Sequence, residues 1–170
     1  GVAISFDLLK RVAPKHCRVL LYDSLPATVN ALFGRKTCVI VLYLLHNKGR
    51  TLDAAGHYSL IMRRKHKPLF YWSSYGLRPE QEIAATHSMG KLLTLLGKYE
   101  YSRTVLQRKR HANTCGLHCL ARSYLYKLNN SAYSKMMTSR FISHGPDDLV
   151  SAMCLLLVSD ELIQKHKTLQ

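Results

Sequence analysis

A chain of 170 residues has the length of one domain, and 47% hydrophobic with 21% charged residues places it among globular proteins and excludes a disordered tail. Twenty-five Lys and Arg against ten Asp and Glu give a formal net charge of +15, which attracts polyanions, nucleic acid first and anionic membrane second. The longest unbroken apolar run, Cys38 to Leu45, is eight residues, far short of the roughly 20 that a membrane-spanning helix needs.

We therefore expect a single domain over residues 1–170, without membrane association. The chain opens on Gly1 rather than Met, which points to a trimmed start. Five cysteines, at 17, 38, 115, 119 and 154, are odd in number and widely scattered, so they do not form a disulfide framework pattern. A reducing compartment fits them better. Cys115 and Cys119 are one helical turn apart, but no second pair of ligands stands at matching spacing, so no metal or other cofactor is expected.

In chain order, Arg18 to Asp23 and Thr37 to Leu45 are short runs rich in Val, Ile, Leu and Tyr that read as strands, the second buried on both faces. His57 to Arg63 and Leu69 to Ser73 read as a hairpin turning near Arg64 to Pro68. From Glu80 to Leu96 the apolar residues Ala85, Met89, Leu92, Leu93 and Leu96 recur at helical spacing. From Gly116 on, Leu117, Leu120, Ala121, Tyr124, Leu125 and Leu128 do so again. Pro146 to Lys165 opens with Pro and two acidic residues and is apolar nearly all round from Ala152 to Val158, so it reads as a central helix. Strands first and helices later argue for an α+β domain, a mixed central sheet flanked by helices.

Basic residues are clustered as well as abundant. Arg63, Arg64, Lys65, His66 and Lys67 form one run, and Arg103, Arg108, Lys109, Arg110 and His111 another. Neither alternates with apolar residues as a membrane-lying helix would. Arg63, Arg64, Lys65, Lys67, Arg108, Lys109 and Arg110 are the candidate polyanion contacts.

The segment Asn113-Thr114-Cys115-Gly116-Leu117-His118-Cys119 puts Cys115 where a loop becomes a helix. The unpaired N–H groups and positive dipole end there stabilise a thiolate, lower the cysteine pKa and make a nucleophile. Gly116 permits the close backbone approach of an oxyanion hole. On composition alone a buried, inert cysteine capping a core helix is the commoner case. Three histidines compete as the base: His57 at the start of the third strand beside Gly56, His118 on the helix of Cys115, and His111 in a basic loop.

Gly56-His57-Tyr58, Phe70-Tyr71-Trp72-Ser73-Ser74-Tyr75-Gly76, Gln107 and the Asn113 to Cys119 segment, in that order, resemble the adenain and Ulp1-like clan of cysteine proteases. The Cys-Gly-Leu-x-Cys stretch looks closest to adenain and its relatives in virophages and large DNA viruses. The resemblance covers roughly residues 56 to 125. It implies that Cys115 is the nucleophile, His57 its general base, and Gln107 an oxyanion donor, although Gln107 can equally be read as an exposed loop residue. The clan carries an acid or Asn where this chain has Ser73. Three explanations stay open: a Cys-His dyad oriented by Ser73, a carboxylate supplied by Asp53, or a scaffold that has lost activity. Trp72 is read either as a cover over His57 or as a plain core residue.

The resemblance further implies a monomeric viral maturation endopeptidase acting on capsid and core precursors at Gly-Gly-type sites. DNA would be a stimulating partner, an activating peptide is a further candidate partner, and the setting would be a virion, viral factory or host cytoplasm. The alternatives are a peptidase for ubiquitin-like modifiers and a non-enzymatic nucleic-acid-binding scaffold.

Overall fold

The computed structural model describes residues 3–44, 56–107, 113–139 and 145–168. Five strands form one mixed sheet in sequential order: β1 (Cys17–Leu21), β2 (Cys38–Tyr43), β3 (His57–Met62), β4 (Leu69–Trp72) and β5 (Tyr99–Tyr101). The inner pairs β2–β3 and β3–β4 are antiparallel, while β1–β2 and β4–β5 are parallel. The expected β3–β4 hairpin forms, with Leu60 opposite Trp72, and turns through His66 in a left-handed conformation (φ 58°). The α+β reading with a mixed sheet flanked by helices therefore holds.

Period-two alternation divides the core into two layers. Ile40, Leu60 and Trp72 face one way. They pack against α1 (Phe6–Val12), α5 (Cys115–Tyr124), α6 (Asn130–Met137) and α7 (Pro146–Thr168). Val41, Ile61 and Tyr71 face the other way, onto α2 (Val29–Phe33), α3 (Pro79–Thr86) and α4 (Lys91–Leu96). Helices on both faces explain why every residue of β2 is buried, as its unbroken apolar run implies.

Three expectations need correction. The single helix expected over Glu80–Leu96 is two helices. His87 leaves α3 in the left-handed region (φ 53°), and the Ser88 N–H returns to the Ile83 carbonyl, which closes the helix end. The Thr86 hydroxyl, bonded to the Glu82 carbonyl and to Ser88, competes for the same backbone. Met89, counted on the apolar stripe, is 76% exposed as a result. The helix after Cys115 ends at Tyr124, so Leu128 lies beyond it. Helix α7 is lateral rather than central. Val150 and Cys154 are buried, but Leu155 and Leu156 are each 73% exposed. The sheet face is already covered by α5, so α7 can bury only the stripe that meets that helix.

Glycine decides how closely α5 seats on the sheet. A Cβ at Gly116 would lie 2.5 Å from Ile4 Cγ2 and 3.1 Å from Tyr58 Cδ2. The close approach that Gly116 permits is thus to the side chains of β3 and the N-terminal segment. We expect Gly116→Ala to cost about 1–3 kcal/mol through overpacking, seen as a lower denaturant midpoint at constant slope. An unchanged midpoint would show that this seat has slack.

Candidate active site

Cys115 is the first residue of α5 and His57 the first residue of β3, the central strand. Both open on one cavity of about 390 Å3, together with Gln107, Tyr75 and Glu82. The Cys115 sulfur takes backbone hydrogen bonds from Tyr58 and Gly116, which ties it to the residue following His57. Residues far apart in the chain therefore meet because a helix N-terminus abuts the beginning of a strand.

The group that holds the imidazole is Glu82, from the first turn of α3. Its Oε2 contacts His57 Nε2, while its Oε1 accepts a 2.8 Å hydrogen bond from the Tyr71 hydroxyl. Tyr71 is linked in turn to Tyr43 at 2.7 Å, and Ser59 donates to Tyr43. Ser73 does not take the acid's place. Its hydroxyl bonds to Glu82, and its Oγ accepts the Tyr75 N–H at the turn after β4. Ser73 is thus a positioning residue for the carboxylate. Asp53, the other candidate acid, lies outside the described residues.

Nothing in the sequence pattern marked Glu82. It sits in a helix start, Pro79-Glu80-Gln81-Glu82, where acidic residues normally serve the dipole and face water. Its burial, at 2% exposure, is decided only by α3 packing on the sheet. The rings beside His57 are Tyr43 and Tyr75, at 5.9 and 5.3 Å between centroids. Trp72 packs edge-on against Tyr133 in the other core layer.

Gln107 is buried rather than exposed, at 2%. Its Oε1 accepts from the Ser74 hydroxyl at 2.8 Å, and its N–H bonds the Ser74 carbonyl at 2.9 Å. These bonds fix the side-chain amide at the wall of the cavity.

His118 belongs to a different cluster. Fully buried, it bonds through Nε2 to Asp147 Oδ1 at 2.9 Å, and the same oxygen accepts the Thr114 hydroxyl at 2.7 Å. Asp147 stands in the first turn of α7, so this trio fastens the start of α5 to α7. His111 lies outside the described residues, as do Arg108, Lys109 and Arg110. Arg63, Arg64, Lys65 and Lys67 are gathered round a second cavity at the opposite end of the hairpin.

No family model matches this chain, and no curated protein does. Among solved structures it is similar to the central domain of the uncharacterized Lpg1148 protein from Legionella pneumophila. The two share 14% identity, the TM-score is 0.47, and the match covers 94% of this chain and 99% of that one.

Electrostatics corrects the expectation of a preformed thiolate. Burial pushes the Cys115 thiol up, against the lowering by its backbone hydrogen bonds. Burial also lowers the His57 imidazole from 6.5 to about 4. It raises the Glu82 carboxyl from 4.5 to about 8, against hydrogen bonds from Tyr71 and Ser73. Desolvation thus favours the neutral form of the thiol, the imidazole and the carboxyl group alike.

These shifts fix the sign of two pH effects. The stability tied to protonated Glu82 is complete below about pH 4.5 and is lost as pH rises through about 8. The stability tied to neutral His57 is present above pH 6.5 and is lost as pH falls through about 4. Glu82→Gln, which cannot ionise, should lose less stability than the parent between about pH 5 and 8, measured as denaturant midpoints across that range. Parallel curves would mean that the carboxyl does not titrate in this window.

Proposed function

We propose that this protein is a cysteine endopeptidase of the adenain type that matures virus particles by cleaving capsid and core precursors at Gly-Gly-type sites. The observation that carries the reading is the cavity shared by Cys115, His57, Glu82 and Gln107, with the thiol at a helix N-terminus and the imidazole backed by a carboxyl group. Glu82 gives the His57 imidazole a carboxyl partner that position 73 lacks, which supports an enzyme over an inactive scaffold.

In this reading the Cys115 sulfur attacks the scissile carbonyl carbon as its proton passes to His57. Glu82 occupies Nε2, so Nδ1 is the nitrogen that accepts. The pair starts neutral, so proton transfer accompanies attack, and the Glu82 carboxyl group holds the ring through Nε2 while the proton moves. The oxyanion takes hydrogen bonds from the Gln107 amide and the Cys115 N–H. The leaving amine takes the proton from His57, and water then hydrolyses the thioester. The net charge of +15 supports packaged DNA as a partner, with the virion or viral factory as the place of action.

The test is mass spectrometry of a capsid precursor incubated with the protein, with and without DNA. Cys115→Ala should leave the precursor intact, and cleavage equal to the parent's would end the proposal. Cleavage of a ubiquitin-like-modifier conjugate in place of the precursor would move the substrate class and keep the chemistry.

A second series separates the roles. His57→Gln should abolish cleavage, while His118→Gln, which can still bond Asp147, should retain it. Glu82→Ala should lower kcat/KM by about 10² or more, and Gln107→Ala by about 10²–10³. Full activity in either of the last two would remove that residue from the machinery.

A further inference from the structure

Helix α5 carries Cys115 at one end and Arg122 two turns along, and the Arg122 end meets a second cavity. This cavity, of about 350 Å3, lies between the β3–β4 turn and the start of α6. Its wall includes Arg64, Lys65, Lys67, Arg122, Lys127 and the Asn130 amide. Arg63 also borders it, with its guanidinium bonded to the Gly34 and Lys36 carbonyls.

Arg122 makes this more than a basic surface. It is 2% exposed, yet among the described residues no carboxylate is paired with it. Its Nη1 and Nη2 bond the Leu125 and Leu128 carbonyls at 2.7 and 2.8 Å, and its guanidinium stacks 4.7 Å over the Tyr133 ring. The buried Nε has no partner, and neither has the buried Nε of Arg64. Guanidinium keeps its proton under all ordinary conditions, and a buried, uncompensated charge is costly.

Lys65, Lys67 and Lys127 are exposed at the rim and are likewise without a carboxylate among the described residues. Arg64 pairs with the half-exposed Glu100 at 3.2 Å and donates to the Pro68 carbonyl. Asn130 is the first residue of α6, where the helix dipole favours an anion, and the Asn129 side chain already accepts the Ala132 N–H there. Positive charge thus converges on a concave space whose described lining residues include no carboxylate.

We propose that this cavity is a binding site for a phosphate group. The ligand is either a free compact oligophosphate or a backbone phosphate of a nucleic acid. Arg122, Lys127 and Asn130 extend the basic run of the hairpin turn into a defined site, and the site stands whether or not Cys115 is a protease nucleophile.

The test uses the whole chain and two probes, inorganic tripolyphosphate and a single-stranded oligonucleotide, each titrated at low salt by calorimetry. Lys67→Gln/Lys127→Gln is compared with Lys15→Gln/Lys98→Gln, which removes the same charge at exposed sites elsewhere. Saturable binding of one equivalent, weakened about tenfold or more by the cavity pair and left within about threefold by the control pair, is the expected result. Tripolyphosphate binding would identify the free anion as sufficient, and oligonucleotide binding alone would identify a backbone phosphate. Equal weakening by both pairs would reduce the site to diffuse attraction and overturn the proposal, as would the absence of saturable binding for both probes. Arg122→Gln is the second variant. Should it unfold, the surface pair still decides.

Discussion

The whole arrangement turns on one contact, the abutment of the first turn of α5 against the first residues of β3. There the Cys115 sulfur takes a hydrogen bond from the Tyr58 backbone, and Gly116 lies against the Tyr58 ring. Adjacent residues of a strand point to opposite faces. Tyr58 therefore joins the core layer beneath α5, and His57 turns to the layer that holds α3 and Glu82. Only at the strand's first residue can a side chain of one face meet a helix end from the other. A thiol from one layer and a carboxyl group from the other then line one cavity with the imidazole.

That geometry is costly to hold. A carboxyl group at 2% exposure, beside an imidazole also taken out of water, loses hydration that only its hydrogen bonds restore. Tyr71 and Ser73 supply those bonds directly, and Tyr43 and Ser59 support Tyr71 from behind. Each such bond contributes about 1 kcal/mol net, yet a buried polar group left unpaired costs about 1–3 kcal/mol. The network is therefore kept as a set. Desolvation is the largest influence on Cys115, His57 and Glu82 alike, and it favours the neutral form of each.

Helix α5 also connects the two cavities. Its N-terminal turn is pinned to α7 through the Thr114, His118 and Asp147 trio, and its last turn holds Arg122. The positive charge of the chain is thus not uniform. A share of it is drawn inward at Arg122 and outward round the hairpin turn, away from the cavity that holds Cys115.

Much of the sheet was legible because a strand writes its burial into a run of residues. Cys38 to Tyr43 is apolar throughout and is covered on both faces, and the hairpin announces itself through Pro68 and the basic turn. The short helices α1, α2 and α6 and the three-residue β5 left no such mark, since five to eight residues give too few turns for a period to show. Cys115, His57 and Gln107 could be picked out as candidates because thiol, imidazole and amide chemistry is a property of the residue type. The sequence by itself determined these residue types and the element each would sit on. Their meeting, the choice of Glu82 over Ser73, the removal of His118 to Asp147 and the burial of Arg122 were decided by the tertiary structure. A carboxylate or guanidinium in a polar helical stretch reads as solvated until a packed neighbour takes its water away.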